Sequence, residues 1–157
     1  MLFTAVLFTA CSTNDDDDND DDGSSGGSEF VTAKVNGTDF EAAQDPAVIV
    51  GATVSNGVLA VHGGKNNGET LRLTIGSYNG VGTYSAGESI TSVNSLMYVT
   101  ISPVAAWTTI FDLATGTIEI TSDDGTTVEG TFSFEGYNAA DQTTKTITVG
   151  KFKATLE

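Results

Sequence analysis

Residues 117–156, TIEITSDDGTTVEGTFSFEGYNAADQTTKTITVGKFKATL, carry the clearest period-two pattern in the chain. Ile118 and Ile120 alternate with Thr117, Glu119 and Thr121, Asp123-Asp124-Gly125 signals a turn, and Val128, Phe132 and Phe134 share one face of the next segment. Successive side chains of a strand point to opposite sides, so this spacing predicts half-buried strands. Past the polar stretch 138–144, Ile147 and Val149, then Phe152, Ala154 and Leu156, finish the pattern.

The same signals continue upstream. Asn36-Gly37 separates strand-like 30–35 from 38–42, and Asn56-Gly57 separates 47–54 from 58–62; Asn-Gly is the strongest short hairpin signal. Further strands are expected over 69–77, 81–85, 95–102 and 108–114. Thr, Val and Ile together supply 46 of the 157 residues, and β-branched side chains fit a pleated surface. No stretch keeps helical periodicity over three turns. The expected fold is all-β, an antiparallel sandwich of about ten short strands. Gly130, Gly136 and Gly150 mark bulges or bends, which keeps a small coiled barrel as the alternative.

Composition excludes several functions. One His and one Cys cannot build a multi-ligand zinc centre or a disulfide framework. A net charge of −15 argues against nucleic-acid binding, which begins with Lys and Arg clusters. Seven of the 21 acids lie in 15–22, within a segment of Ser, Thr, Asn, Asp and Gly that has nothing apolar to bury. Residues 11–28 therefore read as a disordered tether. Residues 29–157 read as one all-β domain, large enough for a single core and expected to be monomeric.

Residues 1–10 are apolar but too short to span a bilayer as a helix. They read as the tail of a signal peptide, and a Lys- or Arg-containing stretch is expected ahead of them. Phe8-Thr9-Ala10-Cys11 resembles a bacterial lipobox, which implies lipidation of Cys11 and a membrane attachment through it. The acids that follow, Asp15, Asp16, Asp17 and Asp18, resemble the export signal of surface lipoproteins in Bacteroidota-type bacteria. That resemblance implies an outer-membrane lipoprotein facing the cell exterior.

The body carries further resemblance. Phe30-Val31-Thr32-Ala33-Lys34-Val35-Asn36-Gly37, Gly82-Thr83-Tyr84, Gly130-Thr131-Phe132-Ser133-Phe134 and Gly150-Lys151-Phe152 are similar to motifs of a group of small uncharacterised Bacteroidota lipoproteins. The group implies no catalytic residues.

Candidate chemistry was sought residue by residue. Asp18, Asp20, Asp22, Gly23 and Glu29 fit the calcium-loop spacing but lack the flanking helices of an EF-hand. His62, in Val61-His62-Gly63-Gly64, has no nucleophile elbow to serve. Glu119, Glu129 and Glu135 could supply a glycosidase pair, yet each falls on the polar face of a strand, where solvated charge is ordinary. No catalytic residue, cofactor or metal site is expected. Trp107, Tyr78, Tyr84 and Tyr137 lie in or near loops or strand ends and could form a stacking platform for sugars. The expected function is a cell-surface binding or accessory module for glycans or a partner protein. The alternative is a structural envelope lipoprotein without a ligand.

Overall fold

A computed structural model describes residues 28–42 and 50–157. Among them there is no helix, and eleven strands follow one another: β1 (Phe30–Val35), β2 (Thr38–Glu41), β3 (Gly51–Ser55), β4 (Val58–Gly64), β5 (Thr70–Ile75), β6 (Gly82–Ala86), β7 (Ser95–Ile101), β8 (Val104–Thr108), β9 (Gly116–Asp123), β10 (Thr127–Asn138) and β11 (Thr143–Thr155). Every strand pairing is antiparallel. The all-β antiparallel expectation holds. Asn36-Gly37 and Asn56-Gly57 both have φ positive at each residue, the geometry of a tight hairpin turn matched to strand twist.

The strands form one curled sheet, a half-barrel, in the order β2-β1-β11-β10-β8-β7-β5-β4-β3, with β9 on β10 and β6 on β9. It can be followed as two sandwich-like layers, β6-β9-β10-β11-β1-β2 and β8-β7-β5-β4-β3. What makes them one sheet is the corner where Tyr137 of β10 pairs with Thr108 of β8. At the opposite corner Leu156 bridges Ala52, and the Glu157 N–H donates to the Ala52 carbonyl, covering the edge of β3. Across the interior Phe40 meets Tyr98 edge to face at 6.4 Å. Leu59, Leu71, Leu96, Ile118, Ile147 and Phe152 fill the space between. Burying these side chains is the main force holding the layers together.

Two of the three marked glycines lie at irregularities that bend long strands. Between β9 and β10 the register slips beside Gly130. Between β10 and β11 it slips beside Gly150, where Phe132 faces Gly150 but Phe134 faces Ile147. A bulge of this kind adds a residue to one strand and increases its twist. It also corrects the expected face of Val149. The buried set passes from odd-numbered Ile147 to even-numbered Phe152 and Ala154, and Val149, the extra residue, is 65% exposed with φ +52°.

The expected strand at 108–114 is also corrected. Pairing begins at Val104, directly after Ser102-Pro103, and ends at Thr108. The chain then turns tightly: the Ile110 carbonyl accepts from the N–H groups of Leu113 and Ala114, and Asp112 sits at φ +66°. Phe111 and Leu113 are consequently turned outward. Residues 47–49 of the expected third strand lie outside the described residues.

Candidate functional site

The four nominated aromatics do not assemble into one surface. Trp107 is 7% exposed; its Nε1–H donates to Thr143 Oγ1 at 2.9 Å, Tyr98 lies 5.8 Å from it, and the Lys145 ammonium sits 4.5 Å above its ring. The indole is a core side chain with a capped face. Tyr78 and Tyr84 pack on each other at 6.1 Å and lock a loop. The Tyr78 hydroxyl donates to Asp123 at 2.6 Å, while that of Tyr84 donates to the Gly80 carbonyl and accepts from the Asn79 N–H. Burial first, then the bond to Asp123 and its charge, push the Tyr78 hydroxyl far above its ordinary pKa. Tyr137 is half-buried on the outer face of β10.

Most carboxylates elsewhere are engaged. Glu69 accepts from Lys65 at 3.0 Å and from Asn67 at 2.9 Å, and shares a hydrogen bond with Tyr98. Burial pushes its pKa up, but these partners and the Lys65 charge outweigh burial and hold it below the ordinary value. Burial, then the Glu69 charge and hydrogen bond, push Tyr98 up to about 12. Glu129 pairs with Lys153 at 2.8 Å, and Asp39 with Lys34 at 2.6 Å. His62 sits half-buried in β4 between Gly51 of β3 and Arg72 of β5. Glu29 is used structurally, its Oε1 accepting from the Thr155 N–H at 2.6 Å. Cys11, Asp15, Asp16, Asp17, Asp18 and the rest of the calcium-loop pattern before Glu29 lie outside the described residues. Among the described residues no group of three or more His, Cys, Asp or Glu could hold a metal ion.

One region differs. Two hollows of about 430 and 300 Å3 adjoin on the outer face of β9, β10 and β11, sharing Glu88, Thr115 and Glu135. The odd-numbered residues of β10 point outward because Phe132, Phe134 and Gly136 point into the core. Thr117 follows from the same alternation in β9, opposite the buried Ile118. The floor is thus hydroxyl-rich: Thr117, Ser133, Thr146 and Thr148. One end is bordered by Phe111, 48% exposed, and Leu113, 57% exposed. The 87–94 and 109–115 loops meet here because residue 87 is glycine. At its φ of +76° a Cβ would stand 2.3 Å from the Ala114 carbonyl oxygen, so any other residue would push the loops apart.

The groove's polar side chains face solvent. Among the described residues the side chains of Glu88, Glu135, Thr117, Ser133, Thr146 and Thr148 have no hydrogen-bond or ion-pair partner. Neither of the two hollows is lined by a Lys or Arg. Of these residues only Glu135 stood out in the sequence. The exposed Phe111-Asp112-Leu113 was hidden because an apolar-polar-apolar triplet also reads as strand.

No curated protein and no solved structure matches this chain. Residues 28–155 match a domain of unknown function, DUF6252, and the chain belongs to that family.

Proposed function

We propose that this protein is a lipid-anchored binding module, displayed on the outside of the outer membrane and without catalysis of its own, for a glycan or a partner protein. The groove carries the reading: a hollow of small-ligand size, within the roughly 300–1,000 Å3 of such sites, lined by Glu88, Asp112 and Glu135 with Phe111 and Leu113 at its border. Its position supports display. The chain enters the domain at Glu29, beside the Thr127 to Thr155 end of the β10–β11 ribbon. Glu135 lies eight residues further along β10, up to about 26 Å at the usual rise per residue, so this part of the groove lies well along the ribbon from the entry point. The lipobox-like Phe8-Thr9-Ala10-Cys11 supplies the anchor, the acids after it the address, and the segment to Ser28 the spacing. A single acyl chain holds weakly, so stable attachment needs the multiple chains of a lipoprotein.

Protease added to intact cells tests the display. Wild-type protein is expected to be digested, and Cys11→Ser to leave the membrane fraction. Changing Asp15 to Asp18 and Asp20 to Asp22 to Asn should keep the protein membrane-bound while protecting it from protease. Equal digestion of wild type and the Asn variant removes the addressing role, and a protected wild type overturns surface display.

A further inference from the structure

We infer that the groove is a saccharide site that prefers amine-bearing sugars and rejects uronates. The inference rests on the reading of the protein as a binding module and deepens it. The floor offers four solvent-facing hydroxyls that each donate and accept. A polyhydroxylated ligand matches such a surface because its own groups also do both. An extended peptide matches it poorly. Peptides add to open strand edges, whereas β9, β10 and β11 are paired on both sides along the groove, β9 with β6 and β10, β10 with β9 and β11, and β11 with β10 and β1. Phe111 presents an exposed ring at the border, the apolar flat face on which the C–H side of a pyranose packs.

Charge then selects among sugars. Glu88 and Glu135 both line the shared part of the two hollows, Asp112 stands beside Phe111, and no basic residue lines either hollow. The chain as a whole carries −15. A uronate or sulfated sugar would meet only like charge, while a protonated amine would meet two solvent-facing carboxylates.

The test is an NMR titration of the full chain carrying Cys11→Ser, in slightly acidic buffer where sugar amines are protonated. The probes are glucosamine trimer, its N-acetylated counterpart, galacturonate trimer and trilysine. Glucosamine trimer should shift amides of 111–117, 133–135 and 146–148 and bind about tenfold tighter than the acetylated trimer, as two exposed charge pairs would give. Galacturonate trimer should leave those amides unmoved. The Glu88→Gln/Glu135→Gln double variant should erase the tenfold preference while keeping the affinity for the acetylated trimer, and Phe111→Ala should weaken both sugars at least fivefold. All three positions are exposed, so these variants should fold. Galacturonate binding as tight as glucosamine, or amide shifts lying elsewhere, overturns the inference. Trilysine shifting the groove amides when no sugar does overturns the saccharide assignment and leaves the binding module standing. Silence from all four probes overturns the saccharide site and leaves the module's partner-protein reading standing.

Discussion

Phe152→Ala tests whether the curled sheet is closed over a single core. Phe152 is 1% exposed, its ring lies 6.4 Å from that of Phe132, and a Cβ on Gly130 would come within 2.8 Å of its Cζ. The site is therefore bounded by a second ring and by backbone, neither of which can collapse far into a void. Removing the ring forfeits about 2 kcal/mol of transfer free energy. It leaves a space of roughly 100 Å3, worth about 2 kcal/mol more at about 24 cal/mol per Å3. The expected loss is about 4 kcal/mol, a large part of the roughly 5–15 kcal/mol that holds a domain folded. Urea unfolding followed by fluorescence of Trp107, the only tryptophan, reads it directly. At a slope of roughly 2 kcal/mol per molar the midpoint should fall by about 2 M with the slope unchanged. Phe152→Leu should cost about half as much. A loss below about 1 kcal/mol for the alanine variant would mean that Phe152 is not clamped between the two strands.

Val149→Asn should raise stability by about 0.5–1 kcal/mol, because the left-handed conformation at φ +52° costs a β-branched residue more than Asn, and the exposed side chain gives up no packing; a lower urea midpoint would refute it. Above about pH 10 the unfolded chain releases the Tyr78 and Tyr98 protons that the native state retains, so stability should decline from there, the Tyr98 contribution being lost through about pH 12. Tyr98→Phe should show a shallower decline between about pH 10 and 12 than wild type, and an identical decline would contradict this. Toward acid the sign reverses: N–H groups of Thr127 and Thr126 hold the Asp124 carboxyl below its ordinary pKa, and the partners of Glu69 do the same there. Stability present above the ordinary carboxylate range should fall as pH drops through the lowered values. Asp124→Asn should unfold more readily than wild type at neutral pH and approach it in acid, and a constant difference across pH would refute the assignment.

Much of the architecture is legible in the residues themselves. The two Asn-Gly pairs and Asp123-Asp124-Gly125 place their turns because few other residues adopt the required conformations. The bulge beside Gly150 was present as a change of phase, since Ile147 and Phe152 cannot share a face of a regular strand. The joining of all strands into one curled sheet was not legible. Joining at one corner depends on a single pairing, Tyr137 with Thr108, and Gly136 fits there because a Cβ would press on Trp107. Nothing local encodes which strands meet across so long a separation. The burial of Trp107 was not legible for a related reason: a ring at a strand end faces core or solvent according to tertiary neighbours, and Trp107 packs against Tyr98 under the Lys145 ammonium. The groove escaped notice because serines and threonines on an outer face look alike whether or not two loops rise beside them.

The antiparallel pairing of β1 with β11 has a mechanical consequence. If the segment ahead of Glu29 is fixed to a membrane and a ligand is held at the groove, tension enters at the start of β1 and leaves through β9, β10 and β11. The pull then runs along the strand axis, from Phe30 opposite Lys153 to Val35 opposite Ile147. Loaded this way, the ladder is sheared, and its hydrogen bonds share the force together instead of opening one after another from an end. Glu29, gripping the Thr155 N–H, adds a further bond at the point where the load arrives. Survival under such force follows the unfolding rate rather than the equilibrium stability. A domain tethered through β1 would accordingly resist drag on a captured polymer better than one tethered through β2, whose edge could be peeled away.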